Sequence, residues 1–221
     1  MNTPSPDLAA LREAIASGDP SRAMPALAGL RQMPVEEAVP LLLLGLEQEV
    51  FMVRSLSCAG LGVKQSEAGW QALVGAAQHD EDANVRAEAA NSLVSHSLER
   101  AWPLVLQLFA ADRQWLVRCS ILSALAEQAE INPAWLLELA SLAITDADGT
   151  VRVGGAEILG RLVREHGDGE ARALLQQLQT DADHRVVAAA FNGLQAWRGV
   201  DRLPALPALL IGTGLLVEHL P

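Results

Sequence analysis

Residues 82–96 read DANVRAEAANSLVSH, and this stretch decides the fold because its pattern recurs along the chain. In five places a valine is followed eight residues later by a leucine, and successive copies are 32, 32, 34 and 35 residues apart. The pairs are Val53 and Leu61, Val85 and Leu93, Val117 and Leu125, Val151 and Leu159, and Val186 and Leu194. A fixed period in this range predicts a repeat protein, in which each unit buries its apolar side against its neighbours.

The residue midway between each valine and leucine is mostly small. These residues are Ser57, Ala89, Ile121, Gly155 and Ala190. Because positions i, i+4 and i+8 share one helical face, each copy predicts a helix whose buried stripe permits close approach. Polar breaks such as HDEDAN (79–84), TDADGT (145–150) and TDADHR (180–185) precede these helices, and their Asp or Asn side chains can cap the helix that follows. Each unit is therefore predicted to be a helix, a turn and a second helix.

The composition also favours packed helices and limits the choice of partner. Half of the 221 residues are hydrophobic, but only three Phe and five Trp are aromatic, and there is no Tyr. Strands are enriched in aromatic and β-branched residues, so we expect an all-α chain. The formal charge of −11 argues against a nucleic-acid partner, because such binding depends on clustered Lys and Arg.

The cysteines and the two ends of the chain predict a cytoplasmic protein. Cys58 and Cys119 are too few for a disulfide framework. The first residues lack the basic and apolar regions of a secretory signal, and the first helix is expected just after Pro6. The apolar stretch 204–217 is about fourteen residues long and is interrupted by Pro and Gly, whereas a membrane-spanning helix needs about twenty. We interpret it as a closing element and expect no membrane association.

Three tryptophans follow a second register in the helices that precede the valine-leucine helices. Trp70, Trp102 and Trp135 are 32 and 33 residues apart. A tryptophan repeated at one place could serve as a platform for a ligand. Large aromatic residues that recur with the period of a fold usually fill the same gap in each unit. We therefore interpret these three as packing between neighbouring units.

The pattern resembles HEAT repeats, and more narrowly the HEAT-like repeat named after phycobilisome lyases. The residues that carry the resemblance are the Asp-x-x-Val-Arg motifs at Asp82 to Arg86 and Asp148 to Arg152, together with the small residues and leucine behind them. The resemblance implies a right-handed α-solenoid of about six helical hairpins. We expect residues 1–33 to form an atypical N-terminal capping repeat, split at Gly18-Asp19-Pro20, residues 34–199 to form the repeat array, and residues 200–221 to form a C-terminal apolar capping segment.

The resemblance also implies a ladder of Asp and Arg side chains near the turns, which fixes the stacking angle of successive repeats. The chain departs from the motif in three copies. Val50 and Gln114 stand where the motif has Asp, and Val187 stands where it has Arg. We therefore expect only a partial ladder.

In arrays of this family the second helix of each hairpin lines the concave surface. On a helical wheel, the positions three, six and ten residues past the valine lie opposite the buried stripe. They predict a partner-binding groove formed by Glu88, Asn91, Ser95, Ser123, Glu127, Glu157, Arg161 and Asn192. Such a groove suits a protein partner with basic or polar helices. The alternatives are that it is only a solvated face, or that a partner binds the apolar C-terminal segment around Leu209, Leu210 and Ile211.

No pattern in the sequence predicts catalysis, a metal site or a cofactor. The five histidines are scattered, none lies four residues from another, and the glycine pairs lack the spacing of a phosphate-binding loop. We expect a non-catalytic protein–protein interaction module or scaffold. The family resemblance suggests an alternative, a phycobilin-lyase-like or chaperone-like component acting on a chromophore-bearing subunit, although no residue identifies a bilin site.

Overall fold

The computed structural model describes residues 7–201, with side chains described up to residue 195. This part of the chain contains twelve α-helices and no strand. The helices are α1 Leu8–Ile15, α2 Pro20–Gly29, α3 Val35–Leu46, α4 Phe51–Val63, α5 Glu67–His79, α6 Ala83–His96, α7 Leu98–Ala111, α8 Trp115–Ala126, α9 Pro133–Ala143, α10 Gly149–His166, α11 Gly169–Gln177 and α12 His184–Asp201. They form six consecutive hairpins, which confirms the predicted all-α solenoid.

Side-chain caps begin many of these helices. A side-chain oxygen accepts a hydrogen bond from a backbone N–H of the first turn, which would otherwise lack a partner. The capping residues are Asp7, Asp19, Ser66, Asp82, Asn132, Asp148 and Asp168. The cap at Asp7 places the first helix just after Pro6, and Gly18, with a φ of 72°, makes the turn into the second helix. Both features agree with the sequence prediction.

The even-numbered and odd-numbered helices form two layers. Each even-numbered helix packs along its length against the even-numbered helices of the neighbouring hairpins, from α2 to α12. The odd-numbered helices make far fewer contacts with each other and pack mainly against the even-numbered layer. The even-numbered layer is therefore the more closely packed of the two, as expected for the inner side of a curved repeat array.

The repeating stripe forms the core between the layers, as predicted. All five valines and the first four leucines of the pattern are at most 2% exposed, and the small residues between them are buried. Leu194, in the last copy, is only partly buried. Two helices approach closely where Gly160 of α10 meets Gly193 of α12, because a Cβ at Gly160 would lie 2.9 Å from the Gly193 Cα. Any side chain there would push the two helices apart.

The expected boundaries at residues 33/34 and 199/200 stay predictions. The proposed closing element at 204–217 and the apolar residues Leu209, Leu210 and Ile211 lie outside the described residues.

Candidate functional site

A ladder of four ion pairs runs along one edge of the even-numbered layer. In each rung, an Arg in the first turn of an even-numbered helix holds the Asp in the turn of the next hairpin through two parallel hydrogen bonds. The rungs, with their Nε–Oδ2 and Nη2–Oδ1 distances, are Arg54–Asp80 (2.8 and 3.0 Å), Arg86–Asp112 (2.7 and 3.1 Å), Arg118–Asp146 (2.6 and 3.0 Å) and Arg152–Asp181 (2.9 and 2.9 Å). Two-point pairs of this kind fix orientation as well as distance.

Backbone hydrogen bonds join the rungs into one chain. Arg86 Nη1 donates to the carbonyl oxygen of Asp80, whose carboxylate belongs to the preceding rung. The same link recurs from Arg118 to Asp112 and from Arg152 to Asp146. Each ladder Asp also accepts the N–H of the residue two positions on, as in Asp82 to Asp80. Each ladder Asp therefore holds both its own turn and the preceding hairpin.

The prediction of a partial ladder was wrong for two of its three departures, Val50 and Gln114, and right for the third, Val187. The Asp three residues before the valine is a helix cap, as Asp82 and Asp148 show, so Val50 and Gln114 do not interrupt the ladder. The ladder Asp lies six residues before the next Arg, a spacing that is visible in the sequence at Asp80–Arg86, Asp112–Arg118 and Asp146–Arg152. The ladder ends at Asp181, because Val187 stands in place of the next Arg.

The ladder perturbs the acidity of its members. Burial raises the pKa of Asp112, but the hydrogen bonds from Arg86 and the Gln114 N–H, with the nearby Arg charges, outweigh it and bring the pKa below its usual value. The hydrogen bond from Arg152 lowers the pKa of Asp181. Hydrogen bonds to the paired carboxylates raise the pKa of Arg54, Arg86 and Arg152. Asp112, Asp181 and these three arginines are therefore charged at neutral pH.

The predicted groove residues lie on the even-numbered helices or, for Glu127, directly after the end of α8, but they differ in exposure. The exposed ones are Ser95, Ser123, Glu127, Glu157 and Asn192, and the half-buried ones are Glu88, Asn91 and Arg161. We call the accessible side of α4, α6, α8, α10 and α12 the inner surface. Within the described residues, the side chains of Ser123, Glu127, Glu157 and Asn192 make no hydrogen bond or ion pair.

Arg161 and Asn91 hold neighbouring repeats together. Arg161 Nη1 donates to the Ala126 carbonyl at 2.7 Å, its Nη2 donates to the Gln128 carbonyl at 3.0 Å, and its Nε pairs with Glu165. Asn91 Oδ1 accepts a hydrogen bond from Ser120 Oγ at 3.0 Å. Glu165 lies on the same helix, but a wheel drawn on one helix cannot show the other partners, because they belong to the adjacent repeat.

Glu88 is also less exposed than the wheel predicted. Burial raises the pKa of its carboxyl group, and a hydrogen bond with the Ser92 side chain offsets only part of this effect. No ion pair of Glu88 occurs among the described residues. Glu88 is therefore a partly desolvated carboxylate near the middle of the inner surface.

Two grooves lie between even-numbered helices. The groove between α8 and α10, about 380 Å³, is lined by Cys119, Ser123, Glu157, Arg161 and Arg164 together with apolar residues. The groove between α2 and α4, about 480 Å³, is mostly apolar, and the wheel analysis missed it. Its apolar lining includes Leu27, Leu30, Leu42, Leu56, Ala59 and Val63. The signal was present in the sequence, since Leu56, Ala59 and Val63 stand three, six and ten residues past Val53.

The three tryptophans pack within the array. Trp102 and Trp135 stack with ring centroids 5.0 Å apart and planes 5° from parallel. Trp70 is buried, lies edge-on to His96, and is covered by the Arg100 guanidinium, 4.1 Å from the ring centroid. Arg100 in turn forms a two-point ion pair with Glu67. The aromatic register therefore joins successive odd-numbered helices.

The described residues hold no group of three or more His, Cys, Asp or Glu arranged to bind a metal ion. Burial raises the pKa of the Cys58 thiol to about 12, and also raises the pKa of Cys119. Neither thiol is therefore activated as a nucleophile, which needs a lowered pKa. None of the helices in the described range is long and apolar enough to cross a membrane.

Residues 39–126, which cover most of α3 and all of α4 to α8, match the family model described as HEAT repeats. Residues 39–126 contain HEAT repeats. The repeat type predicted from the sequence is thus confirmed for this part of the chain. No curated protein matches the sequence.

Several solved structures resemble this chain in fold. Escherichia coli YibA matches with a TM-score of 0.62 at 18% identity, over 83% of this chain and 68% of that chain. A computationally designed armadillo repeat protein for modular peptide recognition matches with a TM-score of 0.53 at 17% identity, over 86% of this chain and 100% of that chain. The CpcE–CpcF complex of phycocyanin lyase from Nostoc sp. matches at 22% identity over 85% of this chain and 99% of that chain, but its TM-score is only 0.39.

Proposed function

We propose that the chain is a non-catalytic protein-binding scaffold and that its inner surface receives the partner. The support is that some polar side chains of that surface bind neighbouring repeats, whereas others are exposed and unpaired within the described residues. Arg161 and Asn91 are committed to neighbouring repeats, whereas Glu127 and Glu157 are exposed and carry no partner within the described residues. Repeat arrays of this kind use extended concave surfaces for binding.

The charge of the surface favours a partner with basic or polar helices. Glu127 directly follows α8, Glu157 lies on the adjacent even-numbered helix α10, and the chain as a whole has a formal charge of −11. Carboxylates placed along a surface increase the rate at which a basic partner associates and select its orientation more than they add affinity. The partner is therefore proposed to approach along the acidic part of the inner surface.

The test compares two double variants of the full chain. Glu127→Lys with Glu157→Lys reverses the charge of the inner surface. Glu99→Lys with Glu138→Lys is the matched control, since both residues are exposed on the odd-numbered helices α7 and α9. Each Glu→Lys exchange raises the formal charge by two. Both double variants therefore have the same formal charge, −7 instead of −11.

Partners captured from the native host with the unmodified chain are then purified, and their association rates are measured at low and high salt. We expect the inner-surface variant to associate at least about tenfold more slowly at low salt, because steering of charged partners has effects of this size. The control should associate at the unmodified rate. If both variants bind equally fast, the inner surface is only a solvated face and the proposal is wrong.

A further inference from the structure

The last even-numbered helix exposes a position that is buried in the four earlier copies of the pattern. The fifth residue past the valine is Cys58, Ala90, Leu122 or Ala156 in the first four copies, and none is more than 2% exposed. In the fifth copy this residue is Phe191, which is 46% exposed.

Contacts in the earlier repeats show what normally covers this position. A Cβ at Gly154 of α10 would lie 2.9 Å from the Leu122 side chain of α8, so the fifth position faces the following repeat. The ninth position does the same, since Gly160 meets Gly193 of α12. In α12 the ninth position is Gln195, and it is exposed. We call Ala188, Phe191 and Gln195, all exposed, the terminal face.

The terminal face is thus built like an internal interface between repeats. A phenylalanine at such a position is costly to leave in water, because its ring is a large apolar surface. Terminal repeats of solenoids usually carry a polar outer face instead. Phe191 therefore indicates that something apolar packs on α12.

We propose that the chain's own residues 204–217 cover the terminal face. This segment follows α12 after only Arg202 and Leu203, and no residue from 203 to 217 is charged. Gln195 lies six residues before the end of α12, about 9 Å along the helix axis. Three extended residues span about 10 Å. The segment can therefore turn back beside Gln195 and reach Phe191, with Pro204 and Pro207 opposing continuation of the helix.

The charge pattern favours this occupant over a second copy of the chain. Two copies that met through their terminal faces would bring together two chains with formal charges of −11. The apolar segment carries no charge and is tethered to the helix that it would cover, so its effective concentration at the terminal face is high. A second copy and a different protein remain outcomes of the test.

Photo-crosslinking of the full chain tests the proposal. The photoreactive p-benzoylphenylalanine replaces Phe191 in one variant and Leu142 in the control, since Leu142 is 43% exposed on α9, away from α12. After irradiation, crosslinked peptides are identified by mass spectrometry, and a mixture of isotope-labelled and unlabelled chains separates links within a chain from links between chains. Circular dichroism checks that each variant is folded.

We expect links within one chain from position 191 to residues 204–217, at a yield at least several times that from position 142. Leu210→Asp with Ile211→Asp should reduce that yield strongly, because a segment that is only tethered nearby would not respond to its own polarity. Equal yields from the two positions, a yield unaffected by the two Asp, links to the segment of a second copy, or no links would each overturn the proposal.

Discussion

Arg86 and Asp112, 26 residues apart in sequence, are joined by two parallel hydrogen bonds of 2.7 and 3.1 Å. Arg86 lies in the first turn of α6, in the third hairpin, and Asp112 lies in the turn of the fourth hairpin. Both side chains are largely buried, at 15% and 7% exposure. The pair therefore fixes one hairpin against the next, and the backbone links to Asp80 extend this constraint along the array.

Removing the Asp112 carboxylate should destabilise the array. Asp112→Ala leaves the Arg86 guanidinium largely buried without its counter-charge, and removing one member of a buried pair costs about 3 to 5 kcal/mol. Because this pair is not fully buried, we expect about 3 kcal/mol, measured as a loss of unfolding free energy in urea. Asp112→Asn, which keeps an acceptor for the Gln114 N–H, should lose less. Equal losses in the two variants would show that the ion pair accounts for the whole effect and the turn cap for none of it, whereas no loss in Asp112→Asn would show that only the turn cap matters.

The Arg86–Asp112 rung should also make stability depend on pH. The folded pKa of Asp112 is depressed, so its contribution is present above the unfolded pKa of about 3.9 and is lost as the pH falls through the folded value. Unfolding free energies measured from pH 7 to pH 2 should therefore fall more steeply at the acid end for the unmodified chain than for Asp112→Asn. Parallel curves would contradict the assignment.

Glu88 should change the pH dependence of stability in the direction opposite to Asp112. Burial raises its folded pKa, so the folded state holds this proton more tightly, and ionisation of Glu88 lowers stability as the pH rises through and above its unfolded pKa of about 4.3. Glu88→Gln should therefore raise the melting temperature at pH 7, and the gain should shrink below about pH 4. Glu127→Gln, at an exposed position, is the control and should change the melting temperature little at either pH.

Two glycine-to-alanine substitutions should change the free energy of unfolding in opposite directions. Gly160→Ala places a Cβ 2.9 Å from the Gly193 Cα, and overpacking of this kind costs about 1 to 3 kcal/mol. Gly75→Ala, in the middle of α5 with no atom within 4 Å of the new Cβ, should stabilise by about 0.5 to 1 kcal/mol. Chemical denaturation measures both. A neutral Gly160→Ala would mean that α10 and α12 separate easily.

The two thiols should react at different rates. Cys58 is fully buried with a pKa of about 12, whereas Cys119 is half-buried and lines the groove between α8 and α10. In the folded chain at pH 8, iodoacetamide should modify Cys119 at least about tenfold faster, because the reaction needs an accessible thiolate. Peptide mass spectrometry follows both sites, and the urea-unfolded chain, where the rates should converge, is the control. Faster modification of Cys58 than of Cys119 would contradict the buried position of Cys58 in α4.

The sequence alone predicted the helical hairpins and their core. The spacing of Val85 and Leu93, repeated five times, is a property of single helices, and one face of each helix must be buried whatever its neighbour is. The turns before α6 and α10 were also predicted, because Asp82 and Asp148 cap helices through backbone groups two residues away. Local chemistry determined these features.

Only the tertiary structure decided which side chains meet across repeats. The carboxylate partner of Arg86 is 26 residues away, and the carbonyl groups that accept hydrogen bonds from Arg161 are 32 to 35 residues away. Such contacts depend on the distance and rotation between hairpins, which a helical wheel does not contain. Glu127 and Arg161 occupy equivalent wheel positions, ten residues past a valine, yet Glu127 faces solvent and Arg161 binds the end of α8. The difference arises because the long Arg161 side chain reaches free carbonyl groups that the stacking of α10 on α8 brings within hydrogen-bonding distance.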